Sequence, residues 1–344
     1  MPGVKSSVRS RAVAGRSDGK SSALRPLALA SLIANVALVV TGAAVRLTGS
    51  GLGCPTWPKC TDASYTTTAA MGVHGTIEFG NRMLTFVLGL LAVACVVAAV
   101  FERPRRRSTI RLSVAVLLGI PAQGVLGGIT VLTHLNPWVV GLHFLVSIAL
   151  IAAAYALWRR TGEGDGTPVP LVPAPVRHLA RITAGAALAV IAAGVVVTGS
   201  GPHAGDVHAK RTGLSPAAVA QVHADLVFLL IGLTVALYFA TRAAGAPRAA
   251  VRAAATLLAV ELGQGLIGFV QYFTHLPVAV VAAHMLGAAL VWTGTLAVLW
   301  SLRERPALAP ALAPALALAP ALAPAAEPSA PAPTAAEQPF TATR

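Results

Sequence analysis

Gln123-Gly124, Thr133-His134-Leu135 and His143 return as Gln264-Gly265, Thr274-His275-Leu276 and His284, each displaced by the same 141 positions. Both copies lie in long apolar stretches, where an ionisable side chain is expensive to keep. A repeat fixes the architecture before any single element is placed, and this one makes the chain two related halves with a histidine at matching depth in each. Outward from these copies, eight apolar segments can be marked, at roughly 24–46, 74–100, 109–131, 139–158, 175–199, 216–241, 249–273 and 278–302. Each is near the ~20 residues a helix needs to cross a bilayer. Backbone polar groups in lipid must be satisfied within the segment, so continuous apolar runs of this length are helices. A transmembrane β-barrel is excluded, since its strands are short and alternate in polarity. The chain is 56% hydrophobic and only 11% charged, which no ordinary soluble domain shows.

The expected fold is an all-α integral membrane protein whose eight transmembrane helices form two four-helix bundles. Residues 24–160 are the N-terminal half and 175–304 the C-terminal half, joined by a cytoplasmic linker at 161–174. Four helices per half leave both halves pointing the same way, a parallel repeat. Of the 26 lysines and arginines, only Arg46, Lys59, Arg82, Lys210 and Arg211 fall on the outer side when the N-terminus is cytoplasmic. That asymmetry places the chain in the cell membrane as a multi-pass protein with both termini inside. The net charge of +14 is then a device of topology, and no nucleic-acid partner is expected. Residues 1–23 read as a basic cytoplasmic tail, although an organellar transit peptide has a similar composition. Residues 305–344 repeat Ala-Leu-Ala-Pro units, and their prolines point to a disordered cytoplasmic tail.

In this topology helices two, four, six and eight start at the outer face. His143, His223 and His284 then sit in the first turns of helices four, six and eight, and the position in helix two that matches His223 is Asn81. Two facing helices that each offer a histidine at one depth can hold a haem iron from both sides. His223 and His284 make such a pair. His143 has an asparagine where its partner would be. A lone membrane histidine often serves only as a helix–helix hydrogen bond, and it is the repeated placement that favours ligation here. His134 and His275, by contrast, read as residues of surface turns.

At this point the motifs resemble a known family. Arg46-Leu47-Thr48-Gly49-Ser50-Gly51-Leu52-Gly53-Cys54-Pro55-Thr56-Trp57-Pro58-Lys59-Cys60 resembles the first outer loop of haem A synthases. Ile77-Glu78-Phe79-Gly80-Asn81-Arg82 resembles their second-helix motif, and Gln123-Gly124-Val125-Leu126-Gly127-Gly128 their third. The resemblance runs over nearly all of residues 25–303. It implies a membrane oxidoreductase that converts the C8 methyl of haem O to a formyl group by successive hydroxylations. A haem b cofactor is implied on His223 and His284, with substrate haem O in the first half against His143. Haem sites toward the outer face, membrane lipid around them, a haem O synthase upstream, cytochrome oxidase assembly factors downstream and a homo-oligomer are all compatible with it.

The chain departs from that pattern at Asn81, where the family motif usually carries histidine. Asparagine is a poor iron ligand, so the expectation is an open or water-ligated face on the substrate haem. His74 is the other histidine on this helix face, but two turns displace it by ~10 Å along the axis. Glu78 is the candidate catalytic residue, because a carboxylate inside a span is by default a functional group able to relay protons or stabilise positive charge. The competing role is an ion pair with Arg82 four residues on. Glu261, in helix seven, faces the bundle interior in either a structural or a proton-carrying role. Cys54 and Cys60 lie in an oxidising compartment with a short spacer, which favours a disulfide. Such a bond is either a staple or a redox exchanger, and Cys95 is an inert apolar residue.

Two other classes share some of these features. A di-haem b-type electron carrier also uses paired histidines but wants haems near both membrane faces. A transporter would show broken helices at the membrane midplane.

Overall fold

A computed structural model of the protein describes residues 23–307. The expected basic tail, except Ala23's place at its edge, and the Ala/Pro-rich tail from residue 308 onward lie outside the described residues. The eight apolar segments are eight helices long and apolar enough to cross a membrane: α1 Leu24–Leu47, α2 Gly72–Phe101, α3 Arg107–Leu132, α4 Pro137–Thr161, α5 Ala174–Ser200, α6 Pro216–Ala243, α7 Arg248–Phe273 and α8 Val278–Ser301. The protein is therefore an all-α multi-pass membrane protein.

Local sequence explains the boundaries. The Asn136 side chain accepts a hydrogen bond from the Trp138 amide and Pro137 follows it, so α4 starts with a capped turn and a preset φ. Ser215 and Pro216 do the same for α6. Both Thr-His-Leu copies stop a helix. His134 and Leu135 follow α3 with positive φ, and His275 and Leu276 follow α7 likewise. Two consecutive left-handed residues without glycine are unusual, and the Leu135 and Leu276 amides satisfy carbonyls in the last turn, those of Thr130 and Gln271. The repeated motif is thus a helix stop, and its exposed histidines are turn residues.

Helices α1–α4 pack as a ring in which each contacts its sequence neighbour and α1 contacts α4; α5–α8 repeat that scheme. The rings meet along α1, α4, α5 and α8. Lipid tails are as apolar as leucine, so helix association here depends on close packing rather than on escape from water. Small buried residues supply it: Ala28, Ala92, Ala154, Ala187, Ala254 and Ala289 are almost wholly covered. Across the junction Trp292 Nε1 donates to the Ile148 carbonyl oxygen at 3.0 Å.

The sequence reading did not anticipate the order at the end where α4 hands over to α5, here called the linker end. β1 (Val169–Pro170) pairs antiparallel with β2 (Arg303–Glu304). The Gly164 and Gly166 amides donate to the carbonyls of Arg305 and Pro306. Asp165 accepts from Arg106 at 2.9 Å and from Arg160 at 2.7 Å, so the α2–α3 loop is drawn into the same cluster. Ion pairs and backbone hydrogen bonds, not apolar pattern, order this segment, and hydropathy is blind to both.

Candidate functional site

The remaining end, where α1, α3, α5 and α7 finish, carries the repeated histidines. His223 of α6 and His284 of α8 face each other with ring centroids 6.4 Å apart. His223 Nδ1 donates to the Val190 carbonyl oxygen at 3.1 Å. A carbonyl only accepts, so the proton sits on Nδ1 and the Nε2 lone pair stays free, the tautomer a metal-ligating imidazole needs. Gly194 of α5 gives the His223 ring its place, since a Cβ there would lie 3.1 Å from the ring's Cε1. His284 Nδ1 is buried and has no partner.

Both halves orient their last histidine by one device. Gln264 Nε2 donates to the backbone carbonyl of His284 at 2.7 Å, and Gln123 Nε2 to that of His143 at 3.1 Å. Gly268 and Gly127 then lie against the respective rings, each with an added Cβ 3.4 Å from Cε1. The sequence reading quoted both glutamines as repeat markers without giving them work. Their constant spacing of twenty residues before each histidine was the available signal.

The first half differs opposite His143. Asn81 Oδ1 accepts from the Thr41 hydroxyl at 2.8 Å, so its amide is held by α1. His143 Nδ1 is buried without a partner. His74 is turned to the loop, with Nδ1 2.9 Å from Ser50 Oγ, where it borders a cleft of about 560 Å3 lined also by Thr48, Leu52 and Asp206.

Glu78 is 6% exposed and both its oxygens are used. Oε2 accepts from the Cys54 amide at 2.7 Å and Oε1 from Arg82 Nη2 at 2.6 Å. Arg82 in turn donates to the carbonyls of Cys54, Thr56 and Lys59. The ion pair weighed from sequence is therefore present, and it anchors the α1–α2 loop to α2. Within that loop Cys54 and Cys60 form a disulfide, Cα atoms 4.4 Å apart. A ring this short constrains the unfolded chain by about 2 kcal/mol. Cys95 is buried and unbridged.

Glu261, 3% exposed, accepts from Thr234 Oγ1 at 2.9 Å, while its Oε2 has no partner. Asp225 is exposed and accepts from Gln221 at 2.7 Å. The loops bind one another through Arg46, which donates to the carbonyls of His203 and Thr198, and through His203 Nε2, which donates to Leu276 O at 3.0 Å.

These features define a class: an eight-span membrane protein with facing imidazoles near one end of one half and a lone equivalent in the other. The chain belongs to the COX15-CtaA family of cytochrome oxidase assembly proteins, whose family model matches residues 25–296. It is similar to proteins named heme A synthase from Symbiobacterium thermophilum (31% identical, 42% of this chain and 46% of that one) and Bacillus licheniformis (28%, covering 42% and 47%). A third such relative, from Listeria welshimeri, is 29% identical over 39% of this chain and 44% of its own. The alignments thus span about half the length of these curated relatives. Their name agrees with the resemblance carried by the loop and helix motifs.

Proposed function

We propose that this protein is a haem A synthase, oxidising the C8 methyl of haem O to a formyl group. In each of two hydroxylations a C–H bond gives way to a C–O bond to a water-level oxygen while two electrons and two protons leave to an external acceptor, and the resulting geminal diol loses water to give the formyl group. In this reading the second half holds a haem b, which supplies electron transfer, and the first half receives haem O against His143, with both sites toward the outer face of the cell membrane. Around them stand a supplier of haem O and factors that assemble the oxidase.

The His223–His284 geometry carries the reading. Two metal–imidazole bonds of ~2 Å each, plus the half-widths of two rings, need about the separation these centroids have. No group of three or more His, Cys, Asp or Glu among the described residues could hold a bare metal ion. A macrocycle that brings its own four nitrogens would need only His223 and His284 from the protein to hold its iron.

The chain's own residues then have distinct tasks. Gln123 and Gln264 fix the backbone depth of the histidines. Asn81, held by Thr41, leaves one face of the substrate iron without a strong protein ligand. Glu78 holds the loop over the first half and is the nearest buried carboxylate to Asn81 along α2, one turn away, where it can pass protons during hydroxylation and dehydration. The electron-carrier alternative wants a second facing pair, and Asn81 denies it one.

The test is chromatography of haems from cells that supply haem O, with and without this chain. Haem A or its hydroxylated precursor should appear only with the chain. Unaltered haem O at full expression would remove the synthase reading.

A further inference from the structure

The loop between α1 and α2 reaches past its own helices. Trp57 stands inside the ring closed by Cys54 and Cys60, and its indole lies on Gly128 of α3, where an added Cβ would overlap indole carbons. The preceding residue, Gly127, is the one that seats His143. Two consecutive glycines of α3 therefore receive the imidazole and the indole at one level of the helix, on directions about 100° apart. The glycine at 128 is needed for this close approach, since any side chain there would expel the indole.

The corresponding position in the second half, 141 residues later, is Phe269. Its ring is attached to the helix itself and stacks on Phe273, with centroids 6.4 Å apart. One half thus keeps an aromatic ring on its own helix, with 53% of Phe269 uncovered. The other deletes that side chain and borrows an aromatic ring from a loop. The borrowed ring is held firmly: Glu78 and Arg82 grip the loop backbone at Cys54, Thr56 and Lys59, and the Thr56 hydroxyl donates to Lys59 O at 3.0 Å. Yet Trp57 keeps 36% of its surface uncovered, so the clamp does not bury it as a core residue.

We propose that Trp57 is a positioning residue of the first-half site: its indole is the wall against which the substrate macrocycle packs beside His143. This rests on the function proposed above. A flat aromatic face suits a flat conjugated ring. A wall carried on a loop can also move aside for a bulky substrate, whereas Phe269 cannot. That matches a first half that exchanges its ligand and a second half that keeps one.

The experiment titrates haem O into purified full-length protein carrying its second-half haem. Wild type is compared with Trp57→Ala, Trp57→Phe and Gly128→Ala. Trp57→Ala should weaken haem O binding about tenfold, with second-half haem content and spectrum unchanged. Trp57→Phe should recover most of the affinity. Gly128→Ala keeps the indole but pushes it off its seat, so it should weaken binding in the same direction, and it stands in if Trp57→Ala fails to fold. The ratio of hydroxylated intermediate to haem A should rise in both weakened variants, because a loosely held ring leaves between steps. A wild type that takes up no haem O would overturn the proposed function and this inference with it. A wild type that binds, beside folded Trp57→Ala and Gly128→Ala that bind as tightly with the same product ratio, would overturn the role of Trp57 alone.

Discussion

Asn81 in α2 and His223 in α6 occupy corresponding places, and each is satisfied by the helix before it. His223 donates to a backbone carbonyl of α5, which fixes its tautomer and leaves Nε2 free. Asn81 accepts from a threonine side chain of α1, which fixes an amide that has no use as a strong ligand. The same divergence recurs at two further pairs. Gly128 with its borrowed Trp57 stands against Phe269, and the apolar, buried Ile120 stands against the buried Glu261. By contrast the glutamines, the adjacent glycines and the two-residue left-handed helix stops are alike in both halves. The shared residues set position and depth, and the differing ones change what the same places on the helices carry. The two halves thus share a helical frame and differ in the side chains set on it.

The strongest way to break that comparison is to remove a ligand from the half argued to hold its haem permanently. His223→Ala or His284→Ala should abolish the low-spin signal of the haem b proposed there, because an iron held by both imidazoles would lose one strong-field ligand. Haem content and visible spectra of the purified variants measure this. Folded variants with unchanged spectra and content would end the assignment of the second half.

Next in size is Glu78→Gln, which keeps the side-chain volume and one acceptor for the Cys54 amide but removes the charge facing Arg82. If the carboxylate passes protons, haem O binding persists and haem A output falls ~100-fold, the lower range for loss of a general acid–base. If Glu78 only anchors the loop, output per folded molecule stays near normal and the loss appears in yield, since breaking a buried pair leaves an uncompensated charge. Product profile against haem O occupancy separates these outcomes.

Asn81→His sharpens the comparison from the other side by giving the first half the residue of the second. Bound haem O should turn low-spin as the iron gains a second imidazole, and turnover should drop about tenfold because the open face is closed. Some loss of affinity is expected too, since the ring is larger than the amide and gives up the Thr41 hydrogen bond. A substrate spectrum identical to wild type would remove position 81 from the iron.

Much of this was legible in the chain. The eight spans, the two helix stops and the histidine pair follow from apolar run length and from a repeat visible by eye. What escaped notice depends on chemistry between segments far apart in sequence. Thr41 and Asn81 are forty residues apart and neither looks unusual alone. Trp57 lies in a quoted motif, but that its ring rests on Gly128 depends on how α2 and α3 pack. Glu78 illustrates a further limit: its spacing from Arg82 announced an ion pair, whereas its bond to the Cys54 amide needed the fold of the loop. The order of the linker at 161–174 escapes positive-inside counting, which sums arginines and ignores Glu163 and Asp165 among them.

Those acids carry the smallest predicted effect, and it tests whether the halves are coupled at all. Asp165 lies between Arg106 of the α2–α3 loop and Arg160 at the end of α4, in a linker that also hydrogen-bonds the segment leaving α8. Burial would raise its carboxyl, but the hydrogen bonds and charges of Arg106 and Arg160 outweigh that and hold it below the usual carboxylate range. A group depressed in the folded state contributes stability above its unfolded value, near 3.9, and loses that contribution as pH falls through the folded one. The side chain is 34% exposed, so the gain is screened and amounts to ~1 kcal/mol or less. Thermal unfolding in detergent should therefore be flat for this residue from neutral pH to about 5 and weaken below the ordinary carboxylate range. Asp165→Asn should lose a degree or two at neutral pH and show less of the acid-side decline. If the linker ties the halves together, the variant's second-half haem spectrum should begin to decay at the same temperature as the first half's substrate affinity. Two separate transitions, unaffected by Asp165→Asn, would show that the halves unfold independently and that their likeness is one of ancestry and packing alone.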